Sequence, residues 1–263
     1  VLISTARKIG FDRSYASEYG LFGPLDPGQK LLLVEHDVKT PVEAGFIDRN
    51  VISLRPIEYR GVHSRGVNPH WFGETALRGK GTGRVNFIVV GTLRARSRNT
   101  QALFAAVASL HGAGLRDFHI VFVGEGNLRD VPIELREYFT VAGRVSFSEL
   151  YAQVERADFV LSLLDPQNPA HEFYATTGTS GHFQLVYGFA KPALVARKFA
   201  DAHRLTPQSS LVYERNEGLA EAMRAALAMS AEDYGRMQAA LAELAASIRR
   251  ESLDTLRSMI AAD

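Results

Sequence analysis

The sequence predicts an α/β protein whose main domain is a doubly wound parallel sheet, with helices on both faces. Two observations support this fold class. From about residue 85 onward, short apolar and β-branched runs of strand length alternate with segments that have apolar residues at helical spacing. Strands joined by helical crossovers form a parallel sheet, because right-handed crossovers place the helices over its faces.

The first strand–helix unit begins at NFIVV (86–90), a short apolar run that ends at Gly91. Such a run is typical of a strand buried on both faces of a parallel sheet. In the following TQALFAAVASLHGAG, four apolar residues fall on one helical face, namely Leu103, Phe104, Val107 and Leu110. A glycine after this segment is expected to end the helix.

The alternation continues to about residue 214. Strands are predicted in FHIVFVG (118–124), TVAGRV (140–145), ADFVLSLL (157–164), PALVAR (192–197) and SLVYE (210–214). Helices are predicted in VPIELREYF (131–139), SFSELYAQVERA (146–157) and GHFQLVYGF (181–189). Ser146 followed by Glu149 matches a capping box, which marks the start of the second of these helices.

The predicted organisation has three parts. Residues 1–80 contain two strand-like runs, KLLLVEHD (30–37) and VISLRP (51–56), and are too few for a second full Rossmann-type domain. The five glycines and the proline of residues 65–84 suggest an interdomain linker. A Rossmann-like domain over 85–216 follows, and 217–263 are expected to form a helical tail that packs on it.

Composition excludes several classes of protein. The 30 basic and 29 acidic residues nearly balance, so no global charge favours binding to nucleic acid. The absence of cysteine excludes disulfides, thiolate metal sites and thiol nucleophiles, and it favours a reducing compartment. The longest apolar runs have strand length, and no signal-peptide pattern opens the sequence. We therefore expect a cytoplasmic protein without a transmembrane segment.

Ligands of open parallel sheets bind beyond the carboxyl ends of the strands, and the loop GTLRARSRN (91–99) follows the first strand. Gly91 permits close approach of the backbone, and Arg94, Arg96 and Arg98 place three cations near a helix start. This composition suits a diphosphate, although a solvated basic loop is the alternative. The loop lacks the G-x-G-x-x-G pattern, so a dinucleotide site is not implied.

Two further loops are unusual. In VGEGN (123–127), Gly124 and Gly126 flank Glu125 in a tight turn that would bring the backbone close to a flat ligand, unless it is a plain strand-to-helix turn. In TTGTSGHFQL (176–185), Thr179 or Ser180 is expected to cap a helix. Its glycines, Gly178 and Gly181, would let backbone N–H groups face an anion, and an ordinary capped helix is the alternative.

Together these segments resemble the nucleotide-sugar donor domain of GT-B glycosyltransferases of the group 1, family-4-like type. FIVVGTLRARSRN is similar to their "VG-x-L…K/R-N" start, and FHIVFVGEGN to their second strand with its glycine turn. AGRVSFSELYAQVERADFVLSLL resembles their "G-x-V…EL…Y…AD" segment, and SGHFQLVYGFAKPALV their nucleotide-sugar helix ending in "G-x-x-K-P". The resemblance covers about residues 85–215, with the segments in order.

The resemblance implies a set of donor-binding residues. Arg98 would contact the donor diphosphate, together with five further residues, namely Gly91, Thr92, Arg94, Ser180 and Gly181. Gly124, Glu125 and Ser146 would border the nucleobase. Many relatives carry two glutamates eight positions apart, the second of which holds the ribose, but here Glu172 is followed by Ser180. Gln184 would then take over the contact with the ribose.

The amino-terminal part also shows a partial resemblance. LLLVEHD resembles a late strand of the acceptor domain of the family, which would place His36 at the cleft as an acceptor-side or transition-state contact. A hydrogen-bonded structural histidine is the alternative for this position. Most of an acceptor domain is missing from residues 1–80.

The function expected from this resemblance is transfer of a sugar from a UDP- or GDP-sugar to an unknown acceptor, which could be a glycan, a lipid or a small molecule. Arg98 and the helix after Ser180 would stabilise the departing diphosphate, and the family implies retained anomeric configuration. No metal-ligand spacing and no cofactor motif is evident, so we expect a metal-independent reaction. A non-catalytic nucleotide-sugar-binding domain and a sugar-nucleotide epimerase are the alternatives.

Overall fold

The computed structural model describes residues 2–5, 31–43, 51–75, 77–93 and 98–261. The chain divides into two compact units. The first unit comprises Val1–Pro69, Phe173–Ser180 and Ala246–Asp263, and the second comprises His70–Glu172 and Gly181–Ala245. Each unit is built around a sheet of its own.

The described strands are β1 (Leu2–Thr5), β2 (Leu31–Glu35), β3 (Val51–Ser53), β4 (Ile57–Tyr59), β5 (Val62–Gly66), β6 (Val85–Val90), β7 (Phe118–Val123), β8 (Phe139–Gly143), β9 (Phe159–Leu161), β10 (Ala193–Ala196) and β11 (Leu211–Tyr213). The described α-helices are α1 (Lys39–Glu43), α2 (Thr100–Gly112), α3 (Phe147–Arg156), α4 (Glu172–Ala175), α5 (His182–Gly188), α6 (Arg197–Ala202), α7 (Leu219–Ala228) and α8 (Ala231–Ala261). None of these helices is long and apolar enough to cross a membrane.

The first unit contains a five-stranded sheet in the order β1-β2-β3-β5-β4. Its strands pair in parallel except β4, which forms an antiparallel hairpin with β5. The sequence predicts β2 and β3 but not this hairpin. The turn residues Arg60 and Gly61 both have positive φ, at 50° and 75°, as a two-residue turn between twisted strands requires. Met259 of α8 packs on Ile52 of β3 in the core of this unit.

The second unit contains six parallel strands in the order β11-β10-β9-β6-β7-β8. The order reverses between β6 and β9, which lie side by side although β7 and β8 separate them in the chain. Phe87, Phe159 and Leu194 of the central strands have no exposed surface. Helices flank this sheet, and the predicted α/β fold with a doubly wound parallel sheet and a C-terminal helical tail is confirmed.

The strands and helices predicted for the second unit are present, with shifted bounds, except between β7 and β8. Ser146 is the N-cap of α3, and its capping box with Glu149 is present as predicted. Between β7 and β8 the chain forms two 3-10 helices, Leu128–Asp130 and Ile133–Tyr138, where the sequence predicts one helix over 131–139. The strand β8 begins directly after them.

The end of α5 packs closely on the segment after His70, within the second unit. Thr75 Oγ1 donates to Gly188 O over 3.1 Å, and the Phe72 and Phe189 rings stack with centroids 5.4 Å apart. A Cβ at Gly188 would lie 2.3 Å from His70 O and 2.4 Å from the Phe72 ring. The glycine of the G-F-A-K-P sequence therefore allows this close approach.

We predict that Gly188→Ala lowers the free energy of unfolding by about 1–3 kcal/mol, because the new methyl group overlaps backbone and ring atoms. Gly112→Ala at the end of α2 is the matched control. Nothing lies within 4 Å of a Cβ at Gly112, so we expect unchanged or slightly higher stability. Urea denaturation of both variants measures the difference, and equal midpoints would contradict the packing described.

Candidate functional site

The carboxyl ends of β6 and β9 meet where the strand order reverses, which is where open parallel sheets bind ligands. Three polar side chains are buried there. Arg98 follows β6 and is 6% exposed, Ser162 follows β9 and is 1% exposed, and His182 begins α5 and is 3% exposed. All three belong to the second unit.

The Arg98 guanidinium is held at the end of β6. Its Nη2 donates to Val90 O over 3.0 Å. A Cβ at Gly91 would lie 3.2 Å from Nη2 and 3.3 Å from Cζ and Nε, so the guanidinium rests on the bare Cα of that glycine. Gly91 also has a φ of 142°, which a residue with a side chain rarely adopts. The sequence-predicted pair of Gly91 and Arg98 is thus brought together.

His182 lies between the other two buried groups. Its Nδ1 is 3.5 Å from Arg98 Nη2, and its Nε2 is 2.9 Å from Ser162 Oγ. Burial lowers the pKa of His182 well below its usual value, and the positive charges of Arg98 and His203 lower this pKa further. The imidazole is therefore neutral at physiological pH.

The loops after β6 and β7 are joined through their backbones. Leu93 N donates to Glu125 O over 2.7 Å, and a Cβ at Gly124 would lie only 1.6 Å from Gly91 O. The close approach that Gly124 permits is therefore to the neighbouring loop. This packing explains the glycine locally, and the approach of the turn to a ligand stays a prediction. The Glu125 carboxylate pairs with the exposed Arg144 over 3.3 Å.

Ser146 is exposed and serves as the N-cap of α3, beyond the edge strand β8. Its hydroxyl accepts from Glu149 N, and its own backbone N–H donates to the Glu149 carboxylate over 2.9 Å. The backbone N–H bond, and a second bond that the Ser146 hydroxyl donates to the same carboxylate over 2.8 Å, lower the pKa of Glu149. Capping explains the serine locally, and the nucleobase contact assigned to Ser146 stays a prediction.

The TTGTS part of this segment (176–180) folds within the first unit, where it pairs with the chain after β2. Val38 N donates to Thr177 O, and Thr179 N donates to His36 O. Gly178 N donates to Phe173 O over 2.6 Å, so this amide does not face an anion, contrary to the sequence prediction.

The start of α5 also differs from its prediction. Its N-cap is Gly181, so neither Thr179 nor Ser180 is the capping residue that the sequence predicts. The helix begins one residue later than the hydroxyl pattern suggests, at His182, which leaves the cap position without a side chain. Ser180 is buried in the first unit, whereas Gly181 belongs to the second.

The remaining predicted residues are distributed as follows. Thr92 is half-buried beside Gly91, and Arg94 lies outside the described residues. His36 is exposed in the first unit, directly after β2. Gln184 lies on α5 and is 7% exposed, and its Nε2 has no hydrogen-bond partner among the described residues. The roles assigned to these residues stay predictions.

Ser162, His182 and Asp165 were not selected from the sequence. The Asp165 carboxylate accepts from Asn99 Nδ2 over 3.0 Å and from Asn216 Nδ2 over 2.8 Å. Asn99 in turn caps α2, directly after Arg98. The polar Ser162 and Asp165 of the SLLD sequence, at a strand end, are the signal that could have indicated these two residues. In the described part of the chain, no cluster of three or more acidic, histidine or cysteine side chains could hold a metal ion.

Known structures supply the comparison, since no family model and no curated protein matches the chain. The pneumococcal O-GlcNAc transferase GtfA, in complex with UDP and GlcNAc, is 14% identical to this chain. The match covers 98% of this chain and 44% of the transferase, with a TM-score of 0.52. The UDP-forming trehalose-phosphate synthase of Burkholderia xenovorans, in complex with glucose-6-phosphate, is 14% identical, covers 67% and 44%, and has a TM-score of 0.46. The C-terminal domain of the group 1 glycosyl transferase LpcC of Francisella tularensis is 13% identical, covers 63% and 86%, and has a TM-score of 0.46.

The chain spans less than half the length of the O-GlcNAc transferase and the trehalose-phosphate synthase that it matches. At 14% identity, the likeness to the O-GlcNAc transferase concerns the fold. The six parallel strands have the order expected of a nucleotide-binding sheet with one reversal point. By this strand order and this likeness, the chain has the GT-B fold, which confirms the fold that the sequence resemblance implies.

Proposed function

We propose that the chain binds a nucleotide-diphosphate sugar and takes part in transfer of the sugar to an acceptor, as a glycosyltransferase. One observation carries the proposal, namely the buried Arg98 guanidinium fixed on Gly91 at the reversal point of the sheet. A permanent cation with planar donors suits a diphosphate better than a neutral ligand. The GT-B fold supports the assignment to sugar transfer.

The proposed reaction breaks the bond between the anomeric carbon and the diphosphate oxygen, so that negative charge develops on the leaving group. Arg98 would stabilise that charge, because hydrogen bonds from an ionised donor strengthen as the acceptor becomes more negative. Its burial also reduces solvent screening of the interaction. Gly91, Thr92, Arg94, Ser180 and Gly181 complete the proposed diphosphate contacts.

Gln184 is the proposed ribose contact. Buried amide groups are nearly always hydrogen-bonded, and the Nε2 of Gln184 has no partner among the described residues. A ribose hydroxyl would provide an acceptor for it. Gly124, Glu125 and Ser146 remain the proposed border of the nucleobase.

Finer features of the reaction are proposals as well. We propose a UDP- or GDP-sugar donor, no metal requirement, retained anomeric configuration and a cytoplasmic location. UDP is the first candidate, because the O-GlcNAc transferase of similar fold is in complex with UDP. The acceptor-side role of His36 is proposed on the sequence resemblance alone.

We predict that Arg98→Ala weakens the binding of UDP or GDP by about 1–3 kcal/mol, the usual cost of losing a charged hydrogen-bond partner. Arg84→Ala is the control, because Arg84 precedes β6 at the opposite end of the strand and donates to Phe118 O. Isothermal titration with UDP and GDP measures both affinities. Equal affinities of Arg98→Ala and the unchanged chain would remove Arg98 from the site.

We predict opposite effects for two buried glutamines. Gln184→Leu removes an unpartnered amide, so it should leave stability unchanged or higher while weakening UDP affinity by about tenfold. Gln238→Leu should lower stability by about 1–3 kcal/mol without affecting UDP, because Gln238 Nε2 donates to Arg78 O and Ala190 O. Thermal unfolding measures the stability of each variant, and titration with UDP measures its affinity. Loss of stability without loss of affinity in Gln184→Leu would contradict the ribose assignment.

We predict that the chain, given UDP-glucose or UDP-N-acetylglucosamine with a panel of sugar acceptors, releases UDP in step with product, and that EDTA does not change the rate. Binding without UDP release under all these conditions would favour the non-catalytic alternative. Conversion of the donor into its epimer without an acceptor would instead favour the epimerase. Chromatography of the nucleotides and sugars distinguishes the three outcomes.

A further inference from the structure

We infer that His182 and Ser162 are positioning residues that orient the Arg98 guanidinium for the diphosphate. The inference rests on the proposed function, since it concerns how the proposed diphosphate ligand is held. Neither residue is assigned a contact with the ligand itself. Both act through the three-membered chain Arg98–His182–Ser162, which is buried at the carboxyl ends of β6 and β9.

The hydrogen-bond chemistry fixes the imidazole tautomer. A guanidinium has five N–H donors and no acceptor, so the ring nitrogen that faces it must present a lone pair. That nitrogen is Nδ1 of His182, 3.5 Å from Arg98 Nη2. The proton of the neutral ring therefore sits on Nε2 and is donated to Ser162 Oγ over 2.9 Å.

This direction of donation excludes a serine nucleophile activated by histidine. In such a pair the imidazole must offer a lone pair to the serine hydroxyl in order to take its proton. Here the lone pair faces Arg98, and the opposite tautomer would bring an N–H of the ring against an N–H of the guanidinium. Ser162 is thus an anchor for the ring, and its effect reaches the cation through His182.

The geometry explains how the contacts from Ser162 through His182 to Arg98 orient the guanidinium. Arg98 Nη2 lies between Val90 O, at 3.0 Å, and His182 Nδ1. The face of the guanidinium rests on Gly91. Contacts to one edge and one face fix the rotation of the planar group, so less conformational entropy is lost when a diphosphate binds. Burial keeps the imidazole neutral, so it does not repel the cation that it orients.

A double-mutant cycle tests this inference. His182→Gln keeps a polar group toward Ser162 but removes the acceptor at Nδ1, and we expect it to weaken UDP affinity by about tenfold. In the Arg98→Ala background the same change should have no further effect. His182→Asn, whose side-chain oxygen can occupy the Nδ1 position, should recover most of the affinity. An equal loss from His182→Gln in both backgrounds would overturn the inference.

Ser162→Ala is the milder variant, because it removes one hydroxyl and leaves the ring in place. We expect Ser162→Ala to lower UDP affinity by about two- to fivefold when His182 is present. In the His182→Gln background it should cause no further loss. His70→Gln is the matched control for a buried histidine, since His70 Nε2 contacts Ala245 O in the same unit and not Arg98. It should leave UDP affinity unchanged, and a loss as large as that of His182→Gln would overturn the inference.

A readout without ligand separates this inference from the proposed function. In NMR spectra of the protein with 15N-labelled arginine, restricted rotation of the Arg98 guanidinium should give separate Nη signals. The loss of these signals in Arg98→Ala identifies them. We expect these signals to average in His182→Gln, and unchanged signals would overturn the inference. Ring 15N shifts of His182 should report the Nε2–H tautomer, and the other tautomer would also overturn it. Failure of the unchanged chain to bind UDP or GDP would count against the proposed function instead.

Discussion

Close packing of the main chain at the carboxyl end of β6 determines the arrangement of the candidate site. The Gly91 Cα supports the Arg98 guanidinium, and the Gly91 carbonyl lies where a Cβ of Gly124 would be. A Cβ at Gly91 would lie only 3.2 Å from the guanidinium, and the contact at Gly124 leaves no room for a side chain. The cation and the two loops are therefore placed by backbone geometry, which is more rigid than side-chain packing and leaves little freedom in the position of the charge.

Much of the fold can be predicted from the sequence, because residues close together in the chain determine its strands and helices. Central strands such as Val85–Val90 are apolar apart from Asn86, and the helices between them have apolar residues at helical spacing. Both patterns can therefore be recognised in the sequence. The hairpin of the first unit was missed for a local reason as well. Its turn uses Arg60 at positive φ, where asparagine or aspartate would have signalled the turn.

The candidate site was only partly predictable. Arg98 stood out because a cation after a buried strand is unusual, but Ser162 lies inside ADFVLSLL, which reads as one apolar strand. The strand ends at Leu161, and Leu163 then adopts a φ of 51°, a conformation that leucine rarely takes and that no sequence rule assigns to it. Gly178 and Gly124 show the converse limit, because a glycine signals a close approach of the backbone without indicating its partner.

The use of a neutral partner for Arg98 fits the proposed chemistry. A carboxylate in the place of His182 would bind the guanidinium more strongly, but its negative charge would cancel much of the field that a diphosphate meets. A neutral imidazole accepts at the guanidinium edge and adds no charge of its own. Ser162 anchors the other side of the ring, so the orientation of the cation is fixed while its attraction for an anion is retained.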